Sequence, residues 1–332
     1  MRTASNFVTV NHVICLYLKL EIILSKHILT IGLITYNGAK TLRNTLDYID
    51  DLLNSNNKFY CCISDDASTD DTSKILKDFK IKNPSQVSLY IQKKNIGILE
   101  NYKFVLDKSE TEYFSWLSQD DFHEINWFKT LIDELENKKS SNCAIGDIKA
   151  ISLTSRSNIK LSDYDLNPAP WLFKRWPNDL HRLLFFLTPG PLGKANFLYS
   201  LFRLRYLKRK LIMTFDMLTG NGYSDYAFDS LLSYYIIPGS NIIFNSSVKM
   251  FKYMNISTTG NFISQRPEFK SKSFILTKIK IIKQEVLLKR HLMFTPNHLK
   301  IFLITLSPLS VAINVIYLCY KKLFFTISNF LK

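Results

Sequence analysis

The sequence predicts an α/β fold in which a mostly parallel sheet is flanked by helices. Between residues 28 and 152, short apolar runs of strand length alternate with segments that carry apolar residues at helical spacing. This alternation is typical of parallel strands joined by crossover helices of about ten to fifteen residues. In such sheets, ligands bind at the carboxyl ends of the strands. The residues that directly follow each strand are therefore the candidate functional residues.

The first strand and the first helix are predicted within residues 28–53. ILTIGLIT, residues 28–35, is a mostly apolar run that is followed by the turn residues Asn37 and Gly38. Across residues 40–53, leucine and isoleucine recur every three or four positions, which indicates one apolar helical face. The regular part of the chain is thus expected to open with a buried strand, a short loop and a helix.

Three further strand–helix pairs and a final strand follow the same pattern. The strands are rich in β-branched and aromatic residues, and the helices carry apolar residues at helical spacing. Ser68, Thr69 and Asp70 are residue types that begin helices, so they mark the start of the second helix. In chain order, these elements are predicted at residues 58–64, 70–82, 86–91, 98–107, 112–118, 125–138 and 143–151.

Three parts of the chain differ in composition. Residues 1–27 form an N-terminal extension to which we assign no role. Residues 28–265 form one domain, with the regular half at 28–152 and a less regular, aromatic and basic half at 153–265. Residues 266–332 form a basic and apolar tail, which we expect to be helical.

The tail favours a membrane surface as its partner. Residues 266–332 carry twelve Lys or Arg and two Glu. Residues 273–294 are amphipathic, for which a helix packed on the preceding domain is the alternative to a membrane-bound helix. Residues 301–320 have about the length that spans a bilayer, but Pro308 and polar residues interrupt them. We expect peripheral attachment, or one C-terminal anchor, on the cytoplasmic side of the cell membrane.

Composition and charge argue against two other classes of function. The five cysteines and six histidines form no CxxC, HxH or HExxH pattern, so the sequence predicts free thiols and no zinc site. The formal net charge is +15, but the basic residues concentrate in the apolar tail instead of lying among base-stacking aromatic residues. We therefore expect no nucleic-acid partner.

Two carboxylates follow the second predicted strand. In SDDASTDDT, residues 64–72, Asp65 and Asp66 lie on a strand-to-helix turn that is rich in hydroxyl residues. A carboxylate in such a turn can accept hydrogen bonds from a base or a ribose, and the backbone amides of the turn can face phosphate. An ordinary acidic helix-capping turn is the alternative for this segment on its own.

A tight turn follows the third predicted strand. In KKNIGILENY, residues 93–102, Asn95 and Gly97 allow the backbone to turn sharply. Asn101 lies one helical turn later, where its side chain can hydrogen-bond a ligand or the loop. Alone, this segment indicates no more than a loop followed by a helix.

A second pair of carboxylates follows the fourth predicted strand. In WLSQDDFHE, residues 116–124, Asp120 and Asp121 can hold Mg²⁺ or Mn²⁺, with diphosphate oxygens at the remaining positions. A solvated acidic turn is the alternative for this segment alone.

In this order, the three segments and GLITYNGAKTLRNTLDYI at residues 32–49 resemble family 2 glycosyltransferases of the GT-A fold, whose sheet is Rossmann-like. The resemblance covers residues 28–150 and continues more loosely to about residue 260. It implies transfer of a sugar from a nucleotide-diphosphate sugar to an acceptor hydroxyl, of the kind used in bacterial cell-surface polysaccharide biosynthesis. It also implies that residues 28–152 are the nucleotide-sugar half of the domain and residues 153–265 the acceptor half.

The resemblance implies roles for individual residues. Asp65 is similar to the carboxylate that reads the base, and Asp120 to the metal-binding carboxylate, with Asp121 supporting it. The family has an aspartate where Ser118 stands, so this chain has one carboxylate fewer for coordinating the metal. The residues expected to bind the nucleotide sugar are Thr35, Tyr36, Asn37, Asp65, Asp66, Asn95, Gly97 and Asn101.

The catalytic base is expected in the acceptor half. GNGYSDYAFDSLLSYYIIPG, residues 220–239, resembles the helix of the family whose leading carboxylate deprotonates the acceptor hydroxyl. That base is expected to be Asp225, with Asp229 as the runner-up one helical turn later. A single base opposite the leaving group implies inversion at the anomeric carbon.

The acceptor is expected to be a saccharide or a lipid-linked glycan. The stretch from Trp171 to Lys210 carries aromatic and basic residues, including His181 and Arg203, that suit a sugar face or a phosphate. Core aromatics and a solvated basic surface are the alternative for these residues. For the whole chain, the alternative is a catalytically decayed, membrane-associated binding protein of the same fold.

Overall fold

The computed structural model describes residues 27–155, 158–174, 178–188, 194–220, 228–237 and 241–253, together with residues 312, 313 and 316. The chain divides into two compact units. The first unit ends at Asp120 and also takes in Leu201–Lys208. The second unit comprises Asp121–Ser200 and the chain from Arg209 onward.

The described residues form nine strands, seven α-helices and two short 3₁₀ helices, the latter at Pro170–Phe173 and Lys194–Tyr199. The strands are β1 (Leu29–Thr35), β2 (Phe59–Asp65), β3 (Val87–Ile91), β4 (Tyr113–Ser118), β5 (Phe122–His123), β6 (Cys143–Ser155), β7 (Asn158–Asp165), β8 (Leu201–Arg203) and β9 (Ile242–Tyr253). The α-helices are α1 (Leu42–Ser55), α2 (Thr72–Lys82), α3 (Ile98–Asp107), α4 (Trp127–Asn137), α5 (Asn178–Leu187), α6 (Leu204–Gly220) and α7 (Phe228–Ile236).

The first unit contains a sheet of strand order β3-β2-β1-β4-β8. β1 pairs in parallel with β2 and with β4, and β2 pairs in parallel with β3, whereas β8 is antiparallel to β4. All seven residues of β1 are buried, as expected for a central parallel strand that is covered on both faces. The predicted α/β fold with a mostly parallel sheet and flanking helices is therefore confirmed.

Close packing in this unit requires a glycine in the middle of β1. A Cβ atom on Gly32 would lie 2.7 Å from Cζ of Phe114 and 2.9 Å from Cγ2 of Val105. Trp116 is buried beside Phe114, with its ring edge-on at a centroid distance of 4.9 Å. Phe114 of β4 and Val105 of α3 thus occupy the volume that a side chain at position 32 would take.

The second unit pairs β6 with β7 in antiparallel fashion and with β9 in parallel, and β5 lies antiparallel to β9. Helix α4 buries its apolar face, which includes Trp127 and Leu131. A Cβ atom on Gly146 would lie 2.3 Å from the Trp127 ring and 2.5 Å from the backbone oxygen of Val248. Gly146 therefore lets β6 approach both a helix and its partner strand.

The predicted start of the second helix needs a correction. Helix α2 begins at Thr72, not at Asp70, and the residue before it, Asp71, makes no side-chain capping hydrogen bond. Ser68 and Asp70 instead hydrogen-bond neighbouring segments of the chain. The capping-type residues therefore organise the loop that precedes the helix.

Most of the predicted tail lies outside the described residues, as does Asp225. Of residues 301–320, only residues 312, 313 and 316 are described. No helix in the described part of the chain is long and apolar enough to cross a membrane.

Candidate active site

The carboxyl ends of four strands lie at one edge of the sheet in the first unit. In the strand register, Thr35 lies opposite Asp65, and Asp65 lies opposite Ile91. Ile34 lies opposite Ser118, the last residue of β4. The chain that leaves these strands forms the β1 loop (residues 36–41), the β2 loop (residues 66–71), the β3 loop (residues 92–97) and, after β4, Gln119 and Asp120.

The carboxylate of Asp65 is buried at this edge, with 0% of the residue exposed. Its Oδ1 accepts hydrogen bonds from the hydroxyls of Thr35, at 3.0 Å, and of Ser68. Its Oδ2 accepts from the N–H of Ser68, at 3.2 Å, and from the hydroxyl of Ser73, at 2.7 Å. Asp65 thus joins the end of β1, the β2 loop and the first turn of α2, and its contact with a base stays a prediction.

Asn37 joins the β1 loop to the β2 loop by reciprocal hydrogen bonds. Its N–H donates to the hydroxyl of Ser68 at 2.9 Å, and its Oδ1 accepts from the N–H of Thr69 at 2.8 Å. Asn37 has a φ of 47° and Ala67, in the β2 loop, a φ of 57°. Such left-handed backbone is common for asparagine but costly for alanine. Both loops are therefore held in a defined and partly strained conformation.

Two further amides of the β1 loop donate to the segment that begins α2. The N–H of Gly38 donates to Oγ1 of Thr72 at 2.8 Å, and the N–H of Ala39 donates to Oδ2 of Asp70 at 3.1 Å. Burial raises the pKa of Asp70, but hydrogen bonds from Thr72 and Ala39 lower it more, so the net pKa is below the ordinary value. Asp70 is therefore a charged acceptor at neutral pH.

Gln119 ties the chain after β4 to the β1 loop. Its Oε1 accepts from the N–H of Tyr36 at 2.9 Å, and its Nε2 donates to the backbone oxygen of Tyr36 at 3.1 Å. The backbone oxygen of Gln119 accepts from the hydroxyl of Thr45 on α1 at 3.0 Å. The Tyr36 side chain remains 46% exposed. Gln119 therefore fixes the backbone that presents an exposed aromatic ring at this edge.

Asp66 anchors the β3 loop through two backbone amides. Its carboxylate accepts from the N–H groups of Ile96, at 2.6 Å, and of Gly97, at 3.1 Å. Gly97 has a φ of 88°, and Oδ1 of Asn95 accepts from the same Gly97 N–H at 3.1 Å. The tight turn that the sequence predicts at Asn95 and Gly97 is present, and Asp66 closes it.

Asn101 is buried within the first unit. Its Nδ2 donates to the backbone oxygen of Ser64 at 3.2 Å, which links α3 to β2. The sequence predicts a hydrogen bond to a ligand or to the loop, whereas this hydrogen bond is to a strand, β2. A nucleotide-binding role for Asn101 stays a prediction.

The two predicted metal carboxylates differ in their surroundings. Asp120 is half-buried, two residues beyond Ser118 at the end of β4. Asp121 is 1% exposed, and its two oxygens accept from Nζ of Lys252, at 3.1 Å, and from the N–H of Tyr253, at 3.0 Å. The described residues contain no group of three or more His, Cys, Asp or Glu arranged around a metal position. Metal binding at Asp120 and Asp121 therefore stays a prediction.

The predicted base cannot be placed, because Asp225 lies outside the described residues. Asp229, the runner-up, is half-buried in the first turn of α7. His123 is a poor base, because burial lowers its pKa to about 3 and its ring packs on Trp127 at a centroid distance of 4.6 Å. The assignment of the base therefore stays a prediction.

The aromatic and basic stretch of the acceptor half is partly structural. The ring of His181 is buried and hydrogen-bonds the backbone oxygen of Leu172 at 3.0 Å. Arg203 pairs with Glu112 at 3.2 Å in the first unit. Trp171 is 40% exposed, while its Nε1–H donates to the hydroxyl of Thr188 at 3.0 Å. Of these three residues, Trp171 alone has a large exposed aromatic surface, and its contact with a saccharide stays a prediction.

Sequence reasoning missed several residues that organise the site. The hydroxyl donors Ser68 and Ser73 follow Asp65 by three and eight positions, so hydroxyl spacing after a carboxylate was an available signal. Gln119 stands inside the predicted metal motif and carries no signal of its own. Lys252 lies 131 residues from its partner Asp121, a separation that no local pattern bridges.

The chain is similar to one protein family and to several solved structures. The model of the family described as "Glycosyl transferase family 2" matches residues 30–209. Among solved structures, S. aureus TarS aligns at 16% identity with a TM-score of 0.49, covering 82% of this chain and 44% of that one. S. aureus TarS 1–349 in complex with UDP aligns at 16% identity with a TM-score of 0.49, covering 80% of this chain and 69% of that one. The complex of TarS 1–349 with UDP-GlcNAc aligns at 15% identity with a TM-score of 0.48, covering 80% of this chain and 70% of that one.

This chain therefore spans less than half of the first TarS structure. No curated protein matches the sequence. The family match covers more than half of the chain and includes β2 to β4 and all of β1 but its first residue, with the loops that follow these strands. The chain belongs to glycosyl transferase family 2.

Proposed function

We propose that this protein transfers a sugar from a nucleotide-diphosphate sugar to an acceptor hydroxyl, and that the β1 and β2 loops hold the nucleotide. The observation that carries the proposal is the network that joins these loops at the carboxyl edge of a parallel sheet. Ligands bind at that edge in α/β proteins. Family membership supports glycosyl transfer as the reaction.

On the donor side, the residues of the first unit position the nucleotide. Tyr36 offers an exposed ring, and Gln119 holds its backbone in place. Asp65 and Asp66 keep the β2 and β3 loops in register with β1, so that the sheet edge is preformed before the donor binds. Asp120 would hold Mg²⁺ or Mn²⁺, which supplies positive charge to the leaving diphosphate when bound.

On the acceptor side, a carboxylate removes the proton of the attacking hydroxyl. We assign this role to Asp225, with Asp229 as the alternative, on family resemblance. One in-line displacement by that hydroxyl inverts the anomeric carbon. Proton NMR of the freshly formed glycosidic bond reports its configuration, and a product that retains the donor configuration would refute inversion.

The acceptor is proposed to be a saccharide or a lipid-linked glycan in cell-surface polysaccharide assembly, at the cytoplasmic side of the membrane. The basic and apolar composition of residues 266–332 supports this location. The full chain should bind vesicles that contain anionic phospholipid and release them as salt rises. Equal binding to neutral vesicles would contradict an electrostatic attachment.

Calorimetry tests the donor site directly. The chain is titrated with UDP, GDP and dTDP, with and without Mn²⁺, beside an Asp120→Ala variant. The matched control is Asp133→Ala, which removes the carboxylate of an exposed ion pair with Lys129. We expect one nucleotide to bind in a manner that needs Mn²⁺ and Asp120 but not Asp133. A folded chain that binds none of the three would favour the alternative, a catalytically decayed binding protein.

A further inference from the structure

Helix α5 of the second unit buries one stripe of side chains. His181, Phe185 and Thr188 recur at helical spacing and are at most 3% exposed. The His181 ring hydrogen-bonds the backbone oxygen of Leu172 at 3.0 Å, and the Phe185 ring lies edge-on to the Tyr234 ring of α7 at a centroid distance of 5.9 Å. This stripe is therefore the face by which α5 packs on the rest of its unit.

Beside that stripe, α5 carries a second apolar stripe that the fold does not bury fully. Leu180 is 38% exposed, and Leu184 and Leu187, at the same helical spacing, are half-buried. The helix sequence NDLHRLLFFL has six Leu or Phe among its ten residues. A helix that covers a core with one face normally carries polar residues on the opposite face. Helix α5 is thus more apolar than its one packed face requires.

Trp171 extends the second stripe at the carboxyl end of the helix. Its Nε1–H donates to the hydroxyl of Thr188 at 3.0 Å, and that hydroxyl donates to the backbone oxygen of Leu184 at 2.7 Å. The indole is thus held beside the last turn of α5, while 40% of the residue is exposed. A tryptophan with its polar atom bonded and its ring exposed is typical of membrane–water interfaces. We name Trp171, Leu180, Leu184 and Leu187 the α5 patch.

The sequence around the α5 patch is basic. Residues 174–194 contain four Lys or Arg and one acidic residue. Lys174, three residues after Trp171, is exposed. A helix surface that offers Trp and Leu, with basic residues nearby, has the chemistry that binds an anionic bilayer. The α5 patch and its surroundings therefore complement anionic lipid in both their apolar and their charged parts.

Two other occupants fit this surface less well. A saccharide presents hydroxyl groups that need hydrogen-bond partners, and the three leucine side chains of the patch offer none. A second copy of the chain would bring two basic surfaces together, which costs free energy. An anionic bilayer takes up the leucines without unpaired polar groups and also attracts the basic residues.

We propose that the α5 patch enters the boundary between the headgroups and the acyl chains of an anionic membrane. The acceptor half then contacts the bilayer through its own fold, in addition to the attachment through residues 266–332. Two attachment signals hold a peripheral protein much more stably than one. The acceptor half also lies at the layer in which a lipid-linked acceptor has its headgroup. This inference rests on the proposed function.

Leu180→Ser tests the apolar contact in the full chain. Sedimentation with vesicles of equal parts phosphatidylglycerol and phosphatidylcholine measures the partition of the protein. Because the exposed part of Leu180 would leave water on binding, Leu180→Ser should partition about 5- to 10-fold more weakly than wild type. That ratio should stay constant as salt rises, because salt screens charges and not apolar contacts.

Ile81→Ser is the matched control for Leu180→Ser. Ile81 is 76% exposed on α2 in the first unit, outside the α5 patch, so its replacement should leave the partition unchanged. Equal partition of wild type and folded Leu180→Ser would overturn the proposal, even if both bind vesicles through the tail.

Fluorescence quenching by brominated lipid tests whether Trp171 reaches the acyl chains. Of the four tryptophans, Trp116 and Trp127 are buried, with 0% exposed. Trp171→Phe keeps an aromatic ring and removes the indole, and Trp176 is the same in both proteins. Vesicles with bromine on their acyl chains should therefore quench wild-type fluorescence more than that of Trp171→Phe. Equal quenching of the two proteins would overturn the proposal.

The two other occupants give different results in the same variants. If the patch binds a saccharide, Leu180→Ser lowers transfer to a soluble acceptor and leaves vesicle partition unchanged. If it binds a second copy, sedimentation equilibrium shows a dimer that Leu180→Ser dissociates, again with unchanged partition. Either result would overturn the proposal. Failure of the proposed function is distinguishable, because no nucleotide would then bind, even to a chain that binds vesicles through the patch.

Discussion

Replacing Gly38 with alanine tests whether Gln119 controls the conformation of the β1 loop, and through it the binding of the nucleotide. A Cβ atom at position 38 would lie 2.3 Å from Oε1 and 2.5 Å from Cδ of Gln119. Oε1 accepts from the N–H of Tyr36, and Cδ also carries the Nε2 group that donates to the backbone oxygen of Tyr36. Gln119 must therefore move, and both hydrogen bonds to Tyr36 are lost together. Gly38 is not among the described residues with a positive φ, so alanine adds no backbone strain of its own.

The size of the effect follows from those two hydrogen bonds. Each contributes about 0.5–1.5 kcal/mol, and partial exposure to water favours the lower part of that range. Losing both hydrogen bonds removes about 1–2 kcal/mol of the free energy that holds the β1 loop in its binding conformation. If binding must supply that free energy instead, the nucleotide affinity should be about 5- to 30-fold weaker. The free energy of unfolding should fall by no more than this same amount of about 1–2 kcal/mol, because the displaced Gln119 amide can hydrogen-bond water.

Calorimetry with the bound nucleotide and thermal denaturation separate the two quantities. Gly32→Ala is the control, because its Cβ would meet Phe114 and Val105 in the core and should lower stability by about 1–3 kcal/mol while leaving the nucleotide affinity unchanged. Gln119→Ala should match Gly38→Ala, and the double variant should lose no more than either alone. A Gly38→Ala chain that binds nucleotide as tightly as wild type would refute the reasoning.

Three further predictions concern single residues. Ala67→Gly should raise the free energy of unfolding in urea by about 1 kcal/mol, because the φ of 57° favours glycine; a lower value would contradict the strain. In the native chain, Cys61 and Cys62 should resist alkylation by iodoacetamide at pH 8 until the protein is denatured. The reason is that burial raises the pKa of Cys61 well above its ordinary value and that of Cys62 to about 12. Peptide mapping that finds rapid alkylation of the native chain would contradict their burial. The pKa of Asp70 is lowered by folding, so the stability it contributes is present above the ordinary value of 3.8 and is lost as pH falls through the folded pKa. The stability difference between wild type and Asp70→Asn should therefore shrink on acidification, and thermal melts that show a constant difference would oppose this account.

The positions of the regular elements could be predicted because hydrophobic periodicity is a local property. β1, β2 and α3 lie within one or two residues of the predicted ranges. The start of α2 was misplaced because Asp70 lies before the helix, where its carboxylate accepts from the N–H of Thr72, the first residue of α2, and from the N–H of Ala39 in the β1 loop. A residue that can cap a helix can equally brace a loop, and the choice depends on which amides lie nearby.

The candidate site was only partly predictable, because partners depend on strand register. Asp65 was expected to face a ligand, yet the alignment of Thr35 with Asp65 surrounds its carboxylate with protein donors. Gln119 reaches Tyr36 because β1 and β4 are adjacent in the sheet, although the strands are far apart in sequence. Lys252 meets Asp121 because β5 pairs with β9. None of these contacts has a signature within a short window of sequence.

The hydrogen bonds around Asp65 affect how a loss-of-function variant at this position should be interpreted. An Asp65→Ala chain loses the common acceptor of three segments at once, so failure to bind nucleotide would not identify a ligand contact. Thr35→Val and Ser73→Ala keep the carboxylate and each remove one protein donor. If these variants bind nucleotide normally while Asp65→Ala does not, neither of these two hydrogen bonds is needed for binding, and the result favours a contact between the carboxylate and the ligand. If all three variants fail to bind nucleotide, the acidic motif serves to hold the loops in place. Its presence in a sequence is then evidence of the fold and not of specificity for a particular nucleotide.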